Sequence, residues 1–373
     1  MIGLGERGPG SISSEVLEKY LRSSLRAGSF VIDCDDVDGA KVERVERLKT
    51  FSGFNDVFAF TLNFSQAGAR LEKNFILKRY VNAMTHPQYG INNTLRKCYR
   101  EFQTMWTLGL AGYPVPKMYL FEGNSAFLGY PFMIMQKEKV KNVNALEFVD
   151  SFAANLAKLH NSNIDRLGID SLEYPKDKFT FSQNILRHVN YLVKEKSHPR
   201  KLRKSFNKAL HWLNENASQV YCKKYCLIHG DYKPLNSLVT EDSKLVTIDF
   251  EDTEIGDPAY DVGYAYNTVR FHYYPGNPEL GEKTAERFVN EYSRHFEGDT
   301  NHNLLFYKVI GALNPSLLCS LEYFNPAKIY RKYGPKGLIA FPFLHIPLAA
   351  RTLLGGDAFI QYLKYSEQFF ESL

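Results

Sequence analysis

The chain has 373 residues, 44% hydrophobic and 23% charged, with 46 lysines and arginines against 41 aspartates and glutamates. That length suits two or three compact units with real cores and excludes a mainly disordered protein. The net charge of +5 is mixed in sign along the chain, so nothing in it implies a nucleic-acid partner or an acidic tail.

Residues 1–10 carry four glycines and a proline and are expected to fray, and Met1 to Arg7 lacks the apolar run of a secretory leader. A helix is predicted over Ser14–Arg26: Val16, Leu17, Tyr20, Leu21 and Leu25 form one stripe, Glu15 suits the first turn and Gly28 offers a stop. A strand-rich region follows, with strands near Val45 to Thr50, over Val57 to Phe64 and over Phe75 to Tyr80, the last after turn residues Gln66 to Gly68. Asn93 to Leu110 reads as a helix with Leu95, Cys98, Tyr99, Phe102, Met105 and Trp106 on its stripe. Tyr113 to Pro116 breaks it, and short strands are predicted near Lys117 to Phe121 and Pro131 to Met135.

After Gln136 a polar link (Lys137, Glu138, Lys139, Lys141) precedes a helix from Ala145 to Asn161, and the remainder is mostly helical apart from a strand-turn-strand passage near residues 226–249. The expected fold class is α+β and bilobal. A small antiparallel-sheet lobe spans residues 1–136, a larger helical lobe spans 137–373, and a cleft between two such lobes is a usual ligand site. The uncharged stretch Gly337 to Ala350 is too short to cross a membrane and contains two prolines. Five scattered cysteines fit reduced thiols in a cytoplasmic protein, and Cys222 with Cys226 lacks the second pair that a structural metal would need.

The informative stretch is Cys226-Leu-Ile-His-Gly-Asp-Tyr-Lys-Pro-Leu-Asn-Ser-Leu-Val239, followed by Leu245-Val-Thr-Ile-Asp-Phe-Glu251. Glu241 to Lys244 makes a natural turn, so the flanking apolar runs read as a hairpin. Symmetric pairing about that turn sets Asn236 opposite Asp249, with Asp231 one tight loop upstream. Two carboxylates and an amide oxygen would then share one small volume. Hard oxygen donors of this kind suit Mg²⁺ completed by substrate phosphates, and phosphoryl transfer also needs a carboxylate to take the proton of the attacking hydroxyl. Singly, each of the three could merely cap a turn or end a strand.

His229-Gly230-Asp231 with Asn236, then Ile248-Asp249-Phe250-Glu251 and Gly256-Asp257-Pro258-Ala259-Tyr260-Asp261, resembles the aminoglycoside phosphotransferase and choline kinase family, loosely from Lys49 to Asp261. The resemblance implies a protein-kinase-like fold and phosphorylation of small molecules with ATP and Mg²⁺. It implies Asp231 as the base, Asn236 and Asp249 as metal ligands, His229 as an architectural residue and Asp261 as a brace beneath the loop. Lys233 sits where serine/threonine protein kinases carry a lysine, and would either touch the transferred phosphate or be a solvated surface residue. Phe75-Ile-Leu-Lys78 resembles the strand whose lysine pairs with nucleotide phosphates and a helix glutamate, here Glu101 at the edge of the apolar stripe. Ser52 and Gly53 would cover the phosphates, and the adenine would lie near Met133 to Lys137, with Gln136 among its contacts. Leu156, Leu159 and His160 read as core.

The acceptor pocket is expected after Asp249, among Glu251, Asp252, Glu254, Tyr264, Tyr266 and Phe271 to Tyr274. Acids and aromatic faces together would favour a cationic or sugar-like acceptor, such as an aminoglycoside or amino alcohol. Two alternatives stand beside this one. A protein kinase would need an Ala-Pro-Glu that does not follow Asp249-Phe250-Glu251, and a silent nucleotide-binding pseudokinase would not need every polar residue of the chemistry.

Overall fold

A serine before an amphipathic run starts the first helix: Ser13 Oγ accepts the Val16 amide, and α1 (Ser14–Arg26) buries Leu17, Tyr20 and Leu21. The computed structural model describes residues 11–48, 55–81, 94–141, 143, 145–194, 200–273, 277–323 and 370. The chain divides into two compact units. One comprises Met1–Lys141, Leu167–Ser171 and Leu238–Asp252; the other comprises Asn142–Arg166, Leu172–Ser237 and Thr253–Leu373.

In the first unit β1 (Lys41–Leu48), β2 (Asp56–Gln66), β3 (Ala69–Arg79), β4 (Met118–Glu122) and β5 (Phe132–Gln136) form an antiparallel sheet in the order β1-β2-β3-β5-β4. β2 and β3 are joined by Ala67 and Gly68, both at positive φ, as a two-residue hairpin turn requires. β3 starts at Ala69, well before the predicted Phe75. Its first half is exposed and polar, and full-length pairing with β2 holds it where no apolar pattern could reveal it.

The inward face carries Phe58, Phe60, Leu62, Phe64, Phe75 and Leu77, packed against α1 and Phe30. α2 (Thr94–Leu110) departs from its expected face. Leu95, Tyr99 and Trp106 are exposed, while Arg100, Glu101 and Thr104 are buried beside Cys98, Met105 and Leu108.

Between Asn236 and Asp249 the chain forms the ribbon of β7 (Ser237–Val239) and β8 (Leu245–Thr247), after β6 (Cys226–Ile228). Its turn is not symmetric. The Thr240 amide donates to Lys244 O at 2.9 Å, the Ser243 amide donates to Thr240 O at 2.9 Å, and Ser243 is left-handed at φ 66°. This bulge takes up one extra residue, so Thr240 faces Lys244 where symmetric pairing would give it Leu245. Asn236 itself lies in a 3₁₀ turn, Pro234–Asn236, ahead of the strand.

The second unit is helical: α3 (Ala145–His160), α4 (Ile164–Leu167, whose last residue belongs to the first unit), α5 (Thr180–Lys194), α6 (Arg200–Asn216), α7 (Pro258–Tyr273), α8 (Pro278–His295) and α9 (Asn301–Tyr323). β6 pairs antiparallel with β9 (Glu254–Gly256). α7 and α9 approach closely at Gly263 and Gly311; a Cβ on Gly263 would lie 2.5 Å from the Tyr307 backbone. The core gathers Phe181, Val189, Phe206, Leu213, Ile228, Tyr307 and Ile310. Cys34, Cys98, Cys222 and Cys226 are free thiols. Burial pushes Cys226 up to about 12, which favours a thiol over a metal-binding thiolate. Among the described residues, no helix is long and apolar enough to cross a membrane.

Candidate active site

Alternation along β3 turns Phe75 and Leu77 into the sheet core and sends Lys78 to the other face, where α2 supplies Glu101. Lys78 Nζ donates to Glu101 Oε2 at 2.7 Å and also bonds Asp249 Oδ1, with Glu251 Oε2 at 3.6 Å. Asp249 lies two residues past the end of β8 and has φ 71°, a left-handed conformation that few residues other than glycine and Asn or Asp adopt readily. Phe250 is fully buried behind it, edge-on to Tyr113. Asn55 Nδ2 donates to Glu251 Oε2 at 2.8 Å, and Lys97 on α2 lies 3.7 Å from Glu251 Oε1 and 3.3 Å from Asp252 Oδ1.

Two lysines thus meet four carboxylates. Burial opposes the charge on Lys78, but Asp249, Glu101 and Glu251 outweigh it and hold the ammonium well above its usual range. Burial pushes the Glu101 carboxyl up to about 7, which Lys78 opposes and the two neighbouring carboxylates reinforce. Glu101 is completely buried, not at a half-solvated edge as the helical stripe suggested, because α2 turns its polar face inward to meet Lys78. Among the described residues its Oε1 has no hydrogen-bond partner, which gives a proton a natural seat. One oxygen each of Glu101, Asp249 and Glu251 lies within 4.8 Å of the others, a hard-oxygen set with excess negative charge that fits a divalent cation.

Gln136 ends β5 and its amide donates to Lys117 O at 2.8 Å, while the Lys137 amide donates to Asn74 O at 3.0 Å. The sheet therefore uses both amides, and the Gln136 side chain hydrogen-bonds Glu138. Arg79, on the opposite face from Lys78, is buried between Asp56 Oδ2 at 2.5 Å and Leu128 O at 3.0 Å. Ser52 and Gly53 lie outside the described residues.

In the second unit, the loop after β6 is built around Asp261. Asp257 Oδ1 accepts the Ala259 amide at 3.0 Å and Pro258 takes the first helical position, so the Gly-Asp-Pro run is the start of α7. That start places Asp261 in the first turn, where Oδ2 accepts the His229 amide at 2.6 Å and Oδ1 the Gly230 amide at 3.0 Å. Gly230, at φ 83°, makes the sharp bend affordable sterically. Behind Asp261, His160 of α3 places Nε2 3.2 Å from Oδ2 and Nδ1 2.8 Å from the Tyr292 hydroxyl. With Asp261 accepting, Nε2 carries the hydrogen. Tyr232 anchors the loop's far side, stacking on Phe152 at 4.3 Å and donating to Phe152 O at 2.8 Å.

The Asp231 carboxylate stands on this frame. Lys233 Nζ binds its Oδ2, Asn236 Nδ2 donates to the same oxygen at 3.0 Å and to Asp231 O at 2.9 Å, and the Tyr264 hydroxyl donates to Oδ1 at 2.6 Å. Both Asn236 amide hydrogens are spent on Asp231, which leaves its Oδ1 as the atom a cation could use. The Asp231 amide donates to His229 Nδ1 at 3.3 Å.

The structure therefore brings Lys78, Glu101 and Asp249 together in one unit, and Asp231, Lys233 and Asn236 together in the other. Of the residues proposed for the acceptor wall, Glu251 and Asp252 face lysines, the Glu254 backbone pairs with Ile228, Tyr266 is buried against Glu282, and only Tyr264 touches Asp231. The side chains of Phe271 to Tyr274 lie outside the described residues. Sequence reasoning missed the support that His160 and Tyr292 give Asp261, and the pairing of Lys97 and Asn55 with Glu251. The first had a signal: a histidine ending an apolar helix is polar where the pattern wants core.

Residues 64–300, more than half of the chain, match the model of the phosphotransferase enzyme family. No curated protein sequence matches. Among solved structures, the chain is similar to an assigned aminoglycoside phosphotransferase of Ralstonia eutropha JMP134 at 16% identity and a TM-score of 0.58, covering 95% of this chain and 99% of that one. It is similar to an amicoumacin kinase solved in complex with AMP-PNP, Ca²⁺ and Ami, at 14% identity, TM-score 0.55 and coverage of 95% and 96%. It is also similar to the choline kinase of Streptococcus pneumoniae, at 16% identity, TM-score 0.50 and coverage of 87% and 99%. These neighbours share the protein-kinase-like α+β fold of small-molecule kinases. The chain adopts that fold and belongs to the phosphotransferase enzyme family.

Proposed function

We propose that the chain moves the γ-phosphoryl group of ATP to a hydroxyl of a small molecule of the aminoglycoside, amino-alcohol or sugar-like kind, in a reaction that needs Mg²⁺. The observation that carries this reading is Lys78 held by Glu101 and Asp249, residues from a strand, a helix and the segment after a hairpin that no folding requirement alone would unite. Lys78 would give its charge to the nucleotide phosphates, an exchange of one anionic oxygen for another. Glu101 would keep it aimed, and the side chain of Gln136, with Ser52 and Gly53, would serve the rest of the nucleotide. Asp249 and the Asn236 side-chain oxygen would be the metal ligands, and the divalent ion would offset phosphate charge during transfer.

Asp231 would orient the acceptor hydroxyl and take its proton, with Lys233 holding the carboxylate from the other oxygen. The segment after Asp249 runs through a 3₁₀ turn and β9 straight into α7, so it offers no length for a regulatory activation segment, which disfavours a protein kinase. The test is ADP formation by the purified chain with Mg·ATP and a panel of aminoglycosides, choline, ethanolamine, amino sugars and homoserine. Acceptor-dependent ADP from at least one member is expected; ADP formation that no small hydroxyl compound stimulates contradicts the reading.

A further inference from the structure

Asp231 has two carboxylate oxygens and room for about four donors. Lys233 and Asn236 both take Oδ2, so the oxygen left to receive an acceptor's proton is Oδ1, and there the Tyr264 hydroxyl already donates at 2.6 Å. A hydrogen bond to a carboxylate is stronger than one between neutral groups. Tyr264 lies one turn after Asp261 on α7, so the same helix face grips the loop backbone through Asp261 and the base through Tyr264. An O–H donor thus stands on the atom where a substrate O–H must donate.

We propose that Tyr264 guards the base. Its phenol competes with any incoming hydroxyl for Asp231 Oδ1; an acceptor with enough binding surface wins that competition, and a lone water, which has no such surface, is used poorly as the acceptor. This rests on the phosphotransferase reading above. The side reaction it suppresses is hydrolysis. The water oxygen bonds to the γ-phosphorus, its proton passes to Asp231 Oδ1, and the bond to the bridging oxygen breaks, so that ADP leaves with the electron pair. Tyr264 is therefore a positioning and specificity residue that acts through Asp231.

The test uses the full chain with Mg·ATP as the only substrate. Tyr264→Phe, which keeps the ring, is expected to raise acceptor-independent ADP release about tenfold or more, the factor that one hydrogen bond to a charged group represents. The gain is expected to vanish in the Asp231→Asn/Tyr264→Phe double variant. A purely structural role for Tyr264 would lower activity, so a gain separates the two. Unchanged or reduced hydrolysis, with Mg·ATP still bound in calorimetry, overturns the guard and leaves the phosphotransferase reading standing; a wild-type chain that neither binds nor turns over Mg·ATP overturns both. In the nucleotide-free protein, the Tyr264 Cζ carbon-13 resonance, assigned by its loss in Tyr264→Phe, is expected to move in Asp231→Ala, and a resonance that stays in place also overturns the proposal.

Discussion

Asp231 and Glu101 are two acids made different by their surroundings. Asp231 carries three donors and remains partly open, whereas Glu101 is sealed, with one oxygen on Lys78 and the other without a partner among the described residues. If Asp231 is the base, Asp231→Asn lowers transfer by about 10²- to 10⁴-fold and leaves Mg·ATP binding in place, which steady-state kinetics and calorimetry would read separately. Glu101 yields a pH prediction. A carboxyl raised from 4.5 to about 7 binds its proton more tightly folded than unfolded, so its contribution to stability is present at low pH and is lost as pH rises through that window. The Glu101→Gln variant is expected to show a flatter fall of Tm than wild type between those two values; parallel slopes would contradict it. The Lys78–Glu101 contact was legible from β-strand alternation and helical spacing. The burial of Glu101 was not, because a stripe of aromatic residues on α2 outvoted the polar face that the lysine requires.

At the scale of elements, α7 organises the second unit. Its N-terminal end offers Asp257 as cap, Asp261 in the first turn as brace and, one turn on, Tyr264 as a donor to Asp231. Asp261→Ala would leave the His229 and Gly230 amides without that carboxylate, at about 1–3 kcal/mol each, and urea denaturation is expected to show the loss as a lower midpoint. Gly263→Ala would drive a methyl into the α9 backbone, and overpacking of this kind costs about 1–3 kcal/mol. Because α7 carries Asp261 and Tyr264, the same change is expected to lower activity even at temperatures where the protein stays folded. The β7–β8 ribbon shows what a pattern of apolar runs cannot supply. Its existence follows from the runs, but its register depends on Ser243 adopting a left-handed conformation, and serine does not announce that choice.

For the molecule as a whole, the chain belongs to the phosphotransferase enzyme family and has the kinase-like fold. The short motifs could be read in advance because caps, sharp glycine bends and strand alternation are local. The Tyr264 contact and the inward face of α2 could not, because each depends on partners far along the chain. Phosphoryl transfer through Asp231 is tested most directly by phosphorus-31 NMR of a reaction containing the chain, Mg·ATP and the acceptor panel. A new phosphomonoester signal that is formed by wild type, lost on chelating the metal and reduced at least about 100-fold in rate by Asp231→Asn is the predicted result. A phosphoester formed equally well by Asp231→Asn, or no phosphoester with any hydroxyl compound, would contradict it.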